Sequence, residues 1–586
     1  MIWTLILGLL AVYFITLIFQ LIHNIRLVKT TGLPYTWFPI SEFSIPLISV
    51  FSTNLVPYIV NWLPAGLADV LNDCTVNYRW MVKDRLSKKR GSVHLVATPT
   101  SISCHVGDAE VISQICSQRQ SFPKPVWQYD LLELYGPNVL TCEDKQWVHH
   151  RRHTASTFNE NSNHLVWRVT VQQALEMIEY WREEHATDPS GERVLLTAAK
   201  TDILKLTLNV ICGAGYGVSL PFRPAIRASL TDELEAHFND TDTPPAGFSF
   251  TFRQVMEHMN TYLNQVILAN MMLPKWITHT FKPLFGKNVL IYEDLGRYLE
   301  AMIKTTKVGK NVVYTNNLLH GITMSQQKED KLTDAEIRGN LHIFTVAGHE
   351  TTATTLRFAL VLLSVHPDIQ EWTYECIKEA TGDQSSNPKD WEYSVIFPRL
   401  VAPLCVMLET MRLYPPVVSI PKWTGESSAT ITHKGKTYSL PPKLNINLNA
   451  NALHYSEEYW GPDVSSFNPH RWDKSNPDSF LAQNDGKSGL SGPGIEFNSI
   501  HKPLRGAFIP FSDGFRACVG KRFAQVEFVA ALSVILSRYR VSLARLSKDE
   551  SEESMQKRAH RTLQDSVTVL TLGMKQDIPL IFEQRL

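Results

Sequence analysis

Leu332-Thr333-Asp334-Ala335-Glu336 opens the segment that most constrains what this chain can fold into. A threonine followed three residues later by a glutamate is a capping box: the hydroxyl serves a first-turn amide and the carboxylate reaches back to the amide of the cap. An apolar run without proline follows, ending near His366-Pro367. A helix of about 33 residues would be roughly 50 Å long, enough to cross a whole domain. A chain organised around such a rod is mainly α. Alternation at His94 to Val96 and Ile102 to Val106, then Gly107-Asp108 and a helical Ala109 to Ile115, adds small β-sheets feeding a helix. With 44% hydrophobic and 19% charged residues in 586, the chain can bury a large core, which excludes wholesale disorder. Its zero formal net charge gives no global reason to expect nucleic acid as a partner.

Inside the long helix lies Ala347-Gly348-His349-Glu350-Thr351-Thr352, an acid beside an alcohol after two small residues. Gly348 lacks a side chain and weakens the helical ladder, so a ligand could approach and the helix could bend there. Glu350 and Thr351 form a pair suited to proton delivery.

The second constraining stretch is Phe511-Ser-Asp-Gly514-Phe-Arg516-Ala-Cys518-Val-Gly520. Gly514 and Gly520 open backbone conformations closed to other residues, and a helix from about Lys521 would aim its positive end at the sulfur. Both effects favour the thiolate, the form that ligates metals. The eight cysteines (74, 104, 116, 142, 212, 376, 405 and 518) show no CxxC or zinc-like spacing, as expected of a chain kept reduced.

This decapeptide resembles the haem-binding loop of the cytochrome P450 superfamily, the haem-thiolate monooxygenases. The resemblance implies the superfamily's fold, mainly α with small β-sheets, and haem b with Cys518 as axial iron ligand. It makes Arg516 the partner of a haem propionate and Phe511 the aromatic residue near the sulfur. Dioxygen would be activated against the Gly348 groove, with Thr351 holding a water and Glu350 linking it to solvent. Electron donation from Cys518 would favour O–O cleavage.

Other motifs fall in the superfamily's order. Glu409-Thr-Met-Arg412 precedes Leu413-Tyr414-Pro415-Pro416, and Phe467-Asn-Pro469-His-Arg471-Trp472 follows. By resemblance Glu409, Arg412 and Arg471 lock together as structure rather than catalysis. Trp147-Val-His149-His150-Arg151-Arg152-His153 invites a zinc or nucleic-acid reading, but no Cys/His partner lies at suitable spacing. Trp147 and Arg151 share a helical face and resemble the pair that contacts a haem propionate. Where the family commonly places a propionate-binding arginine, this chain has Lys422, which lacks the bidentate fork.

Gly213-Ala-Gly215-Tyr-Gly217 lacks the G-x-G-x-x-G spacing, and no nicotinamide or flavin site is legible. Electrons would come from a membrane-bound NADPH-cytochrome P450 reductase docking near Lys521 and Arg522, with cytochrome b5 as a second donor. The expected substrate is a lipophilic small molecule, in a pocket drawing on Val126 to Val139, Phe344, Ala347, Val417 to Ile420 and Thr568 to Leu570. The residues from Trp472 to Arg505 read as an exposed inserted loop. The chain is most like fungal microsomal members of secondary metabolism. An oxygen-independent isomerase or dehydratase on the same fold and a non-catalytic haem-binding membrane sensor stand as alternatives; the Glu350-Thr351 pair argues against the first.

From Ile2 to Ile22 the chain carries no formal charge, roughly 31 Å of helix against a hydrocarbon core of about 30 Å. No basic residue precedes the run, no small-x-small cleavage pattern follows it, and Arg26 and Lys29 lie on its carboxyl side. The expected organisation is a transmembrane anchor over 1–25, a Pro/Gly hinge and membrane-associated segment over 26–72, and a catalytic domain over 73–586. Positive-inside logic leaves that domain in the cytosol, on a single-pass protein of the endoplasmic reticulum membrane.

Overall fold

A computed structural model describes residues 2–38, 62, 64, 78–223, 238, 243–308, 316–324, 331–382, 387–484, 499–568 and 571–585. The elements that matter for function are, in chain order, α1 (Ile2–Thr30), β1 (Tyr35–Trp37), β2 (Val93–Ala97), β3 (Ile102–Val106), α2 (Ala109–Ser117), α3 (Asp144–Ala155) and α4 (Glu160–Glu184). There follow β4 (Arg193–Leu196), α5 (Lys200–Val210), α6 (Asp334–Val365), α7 (Val401–Leu413), β5 (Ser419–Trp423), β6 (Ala429–His433), β7 (Lys436–Leu440) and β8 (Asn445–Asn449). The last are α8 (Lys521–Arg538), β9 (Tyr539–Leu543), β10 (Ser566–Thr568), β11 (Leu572–Met574) and β12 (Leu580–Gln584). Contacts divide the chain into two compact units: Met1–Pro125, Leu408–Cys518 and His560–Gln576 form the first, and Val126–Met407, Val519–Ala559 and Asp577–Leu586 the second.

The first unit is built on a mixed five-stranded sheet in the order β1-β2-β3-β8-β5. β2 and β3 pair antiparallel with His94 opposite His105, and β3 runs parallel to β8. Every residue of β2 and β3 is buried, so both faces of this pair are covered. Asp108 caps α2, its carboxylate accepting from the Val111 amide at 3.0 Å, where the sequence places the strand-to-helix turn. The β6–β7 hairpin turns on Lys434 and Gly435, both at positive φ, the geometry whose twist suits a two-residue hairpin loop. α1 is long and apolar enough to cross a membrane.

In the second unit α6 runs without interruption through Gly348 for 32 residues. Its capping box forms as expected: the Thr333 hydroxyl accepts from the Glu336 amide at 3.3 Å and Glu336 accepts from the Thr333 amide at 2.8 Å. α5 packs along α6 and α8 along α4, while β4-β12-β9 form an antiparallel sheet. The glycines at 213 and 215 sit in a π-helical turn, Ile211–Gly215, that continues α5, so no strand-turn-helix phosphate loop exists there.

The described ends of the stretch from Trp472 to Arg505 are not the exposed loop expected. Trp472, Leu481, Ile500 and His501 are buried, and Asp473 bridges to Ile500; the intervening 485–498 lie outside the described residues. Most of the apolar stretch from Trp37 to Leu71 also lies outside them.

Candidate functional site

In the first unit the cysteine loop is closed by its own backbone. The Cys518 amide donates to the Phe511 carbonyl at 2.9 Å and the Ala517 amide to the Gly514 carbonyl at 3.1 Å. Ser512 (φ 59°) and Gly514 (φ 65°) take the left-handed conformation. A Cβ on Gly514 would stand 2.2 Å from the Cys116 carbonyl oxygen at the end of α2, so glycine is needed there twice over. Gly520 corrects the sequence reading: at φ −88°, ψ 12° it is open to any residue, and it serves as N-cap of α8. Among the described cysteines Cys518 alone is exposed; Cys104, Cys116, Cys142, Cys212 and Cys405 are buried. Burial pushes the Cys116 thiol up to about 11, against the nearby cations Lys422 and Arg505. Lys422, itself buried on β5, is thereby placed beside the α2 end that meets Gly514. Arg516 lies in the 3-10 turn Gly514–Arg516 and is half-buried.

Glu409 and Arg412, one turn apart on α7, form a bidentate pair at 2.9 and 2.8 Å, and Arg471 Nε donates to the same carboxylate at 3.0 Å. Trp472 Nε1 at 2.9 Å and the Asn468 amide at 3.0 Å complete its shell. All three charges are buried. Burial alone would raise the Glu409 carboxyl, but the two guanidiniums override it and hold it at about 2. Arg412 also donates to the carbonyls of His454 (2.8 Å) and Val464 (2.7 Å), and Arg471 to that of Trp460 (2.7 Å).

His454 escaped the sequence reading. Its Nδ1–H donates to the Arg412 carbonyl at 3.1 Å, and Nε2 accepts from the Ile509 amide at 3.2 Å. These two bonds define its tautomer. Burial and the Arg412 charge push it down to about 3, so it stays neutral. One imidazole thus joins the charge network to the backbone just ahead of Phe511.

In the second unit, the residues of α6 between Gly339 and Leu363 are all buried except Ala347, Gly348, Glu350 and Thr351. These share one face at i, i+1, i+3 and i+4. The Thr351 hydroxyl donates to the Ala347 carbonyl at 2.9 Å, so its oxygen is left to accept. On its other side, a Cβ at Gly348 would press Ile211 at 3.3 Å, so that glycine serves packing of the π-helical turn. Phe344 is buried edge-to-face on Phe158, with centroids 5.5 Å apart. Asn340 fastens 126–139 to α6 by accepting from the Val139 amide at 3.0 Å.

On α3, Trp147 is buried and Arg151 half-buried. His150 is taken up by Asn340 at 2.8 Å and by Glu336 at 3.3 Å, leaving it no metal-ligand role. Arg522, half-buried, lies 4.5 Å from the Phe397 ring centre and 3.9 Å from Glu160. The first unit also ties Pro416, just ahead of Val417, to the β10–β11 hairpin through the Leu572 amide at 2.9 Å; Val569 and Leu570 lie outside the described residues.

Glu527 is the second residue missed. α8 is buried all round, and neither Glu527 oxygen has a hydrogen bond of good geometry. Burial drives its carboxyl far above the ordinary range, with the Thr352 hydroxyl opposing, which favours the protonated form. A glutamate at this spacing reads in sequence as a solvated helix residue; only the burial of α8 reveals it.

Residues 75–568 match the cytochrome P450 family profile. The chain belongs to the cytochrome P450 family. That makes it an oxidoreductase of the cytochrome P450 monooxygenase class. It is 28% identical over 592 residues to a cytochrome P450 monooxygenase of Arthrobotrys oligospora, covering 97% of this chain and 96% of the other. It is 30% identical over 498 residues to cytochrome P450 monooxygenase 124 of Postia placenta (83% and 84% covered). To the phomenoic acid biosynthesis cluster cytochrome P450 monooxygenase of Leptosphaeria maculans it is 23% identical over 478 residues (76% and 75%). The family implies haem-thiolate iron. The donors suit it: a soft sulfur on the one exposed described cysteine, in a loop whose cradle at Gly514 admits no Cβ.

Proposed function

We propose that this chain is a membrane-anchored haem monooxygenase that oxidises a lipophilic small molecule, by hydroxylation or epoxidation, in fungal secondary metabolism. The observation that carries the reading is the four-residue accessible face of α6, which is otherwise buried from Gly339 to Leu363, with an acid and an alcohol on it. The name of the Leptosphaeria maculans relative supports the secondary-metabolic setting.

When bound, the haem iron supplies dioxygen activation. In haem b, Cys518 would ligate the iron, and the loop from Phe511 through Gly514 to Gly520 would hold the sulfur in place. Arg516, Trp147, Arg151 and Lys422 would bind the propionates, Lys422 as a point charge. Thr351, its proton donated to Ala347, accepts a hydrogen bond from water and orients it; Glu350 exchanges protons between that water and solvent. Glu409, Arg412 and Arg471 fix the backbone ahead of the loop. Two electrons come from an NADPH-cytochrome P450 reductase, with cytochrome b5 as a second donor. The anchor places the catalytic body on the cytosolic face of the endoplasmic reticulum membrane in a single pass.

Turnover of a lipophilic library in reductase-containing membranes tests this. Product formation that requires both NADPH and dioxygen is expected; product without reductant would overturn it.

A further inference from the structure

The described start of the segment expected as a hinge, from Arg26 to Phe38, is pinned. The hydrocarbon core takes up the uncharged Ile2–Ile22, so the last turns of α1, from His23 to Thr30, project about 12 Å beyond it. In those turns Val28 is fully buried, and Asn24 Nδ2 donates to the carbonyls of Thr98 at 2.8 Å and Pro99 at 3.5 Å, in the turn between β2 and β3. That turn is itself closed, Thr98 and Ser101 exchanging bonds of 2.9 and 3.1 Å. Beyond the helix, the Thr31 hydroxyl donates to the Val28 carbonyl at 2.7 Å and accepts from the Leu33 amide at 3.2 Å. Gly32 turns at φ 75°, and the Leu95 amide takes up the Pro34 carbonyl at 2.9 Å. The chain then enters the sheet as β1, with Tyr35 opposite Leu95 and Trp37 opposite Ala97. Helix and linker are therefore tied to the middle of β2 and to the turn that follows it.

Alternation along β1 puts Tyr35 and Trp37 on one face, 40% and 53% exposed. Amphipathic aromatics of this kind favour the headgroup level of a bilayer. Arg90 stacks at 5.4 Å on Phe38, next to Trp37, bringing a cation suited to lipid phosphate.

We propose that Asn24 clamps the anchor helix to the β2–β3 turn, so that anchor and five-stranded sheet meet the lipid surface as one rigid body, with Tyr35 and Trp37 in the headgroup layer. This rests on the membrane anchoring proposed above. The clamp sets the tilt of the first unit, and the aromatic edge sets its depth.

The test uses the full haem-loaded chain in phosphatidylcholine bilayers, reading haem tilt by linear dichroism. The wild type should show one narrow tilt. Asn24→Ala, which removes both bonds to the β2–β3 turn, should broaden the distribution, with the reduced carbon monoxide spectrum unchanged. A distribution identical to wild type would overturn the clamp. Tyr35→Ser with Trp37→Ser should shift the mean tilt without broadening it; an unshifted mean would overturn the interfacial contact. Extraction of the wild type by alkaline carbonate would instead overturn the anchoring itself, and the clamp with it.

Discussion

Two polar regions of this chain are built to opposite rules. Around Glu409 the charges are buried and each lone pair is engaged, by Arg412, Arg471, Trp472 and the Asn468 amide. On α6 the polar residues Glu350 and Thr351 sit on the one face left accessible. Saturated polar groups cannot exchange partners without leaving a charge stranded, so they hold geometry. Accessible ones can trade protons with water, which is what the proposed chemistry needs.

The largest expected effect falls on the saturated side. Glu409→Ala strands two buried guanidiniums and should cost about 3–5 kcal/mol, read as loss of haem retention and of the thermal transition. A loss comparable to that of a surface ion pair would break the distinction. The same carboxylate sets an acid limit: held at about 2 when folded, below its unfolded value, it contributes stability above the ordinary carboxylate range, lost as pH falls through about 2. Glu409→Gln should flatten that acid limb in pH-dependent unfolding.

His454→Phe should come next, at about 1–3 kcal/mol, since it leaves the Ile509 amide and the Arg412 carbonyl without their partner. It should also shift the ferric absorption spectrum, because the loop ahead of Phe511 loses its tether; an unchanged spectrum would detach His454 from the site.

On the accessible side, Thr351→Ala removes only a back-bond to Ala347 and should change stability by under about 1 kcal/mol. Its effect belongs in coupling: more NADPH oxidised to peroxide per product. Coupling equal to wild type would make α6 a structural element only.

Glu527 belongs to neither class, and its substitution should be the mildest. Its folded pKa is raised, so its stability contribution is fully present below the unfolded value and is lost as pH climbs toward the folded one. Glu527→Gln should therefore leave stability equal or higher at neutral pH and remove the decline that sets in as pH rises above the ordinary carboxylate range. A lower melting temperature at neutral pH would show that the acid is ionised and paired.

Much of this was legible from local chemistry. The capping box at Thr333 and Glu336 and the strand-helix turn at Asp108 depend on side chains whose pairing follows from type and spacing, whereas the Glu409-Arg412-Arg471 set was legible only through the family resemblance. His454 was not legible, because both its partners are backbone groups distant in the chain. Glu527 was hidden because α8 carries its polarity on a helix that packing buries on every side. Gly520 misled because a glycine in a motif need not use a glycine conformation. The pinned linker at Thr31 to Pro34 was hidden for a similar reason: proline and glycine signal a turn but not whether tertiary contacts hold it.

The central claim is that the exposed Cys518, not one of the buried cysteines, is the thiolate ligand. The carbon monoxide difference spectrum of the reduced protein tests it most directly. Cys518→Ser should abolish the thiolate-type band, while Cys116→Ser, on the helix end behind Gly514, should retain it. A thiolate band surviving in Cys518→Ser would contradict the account.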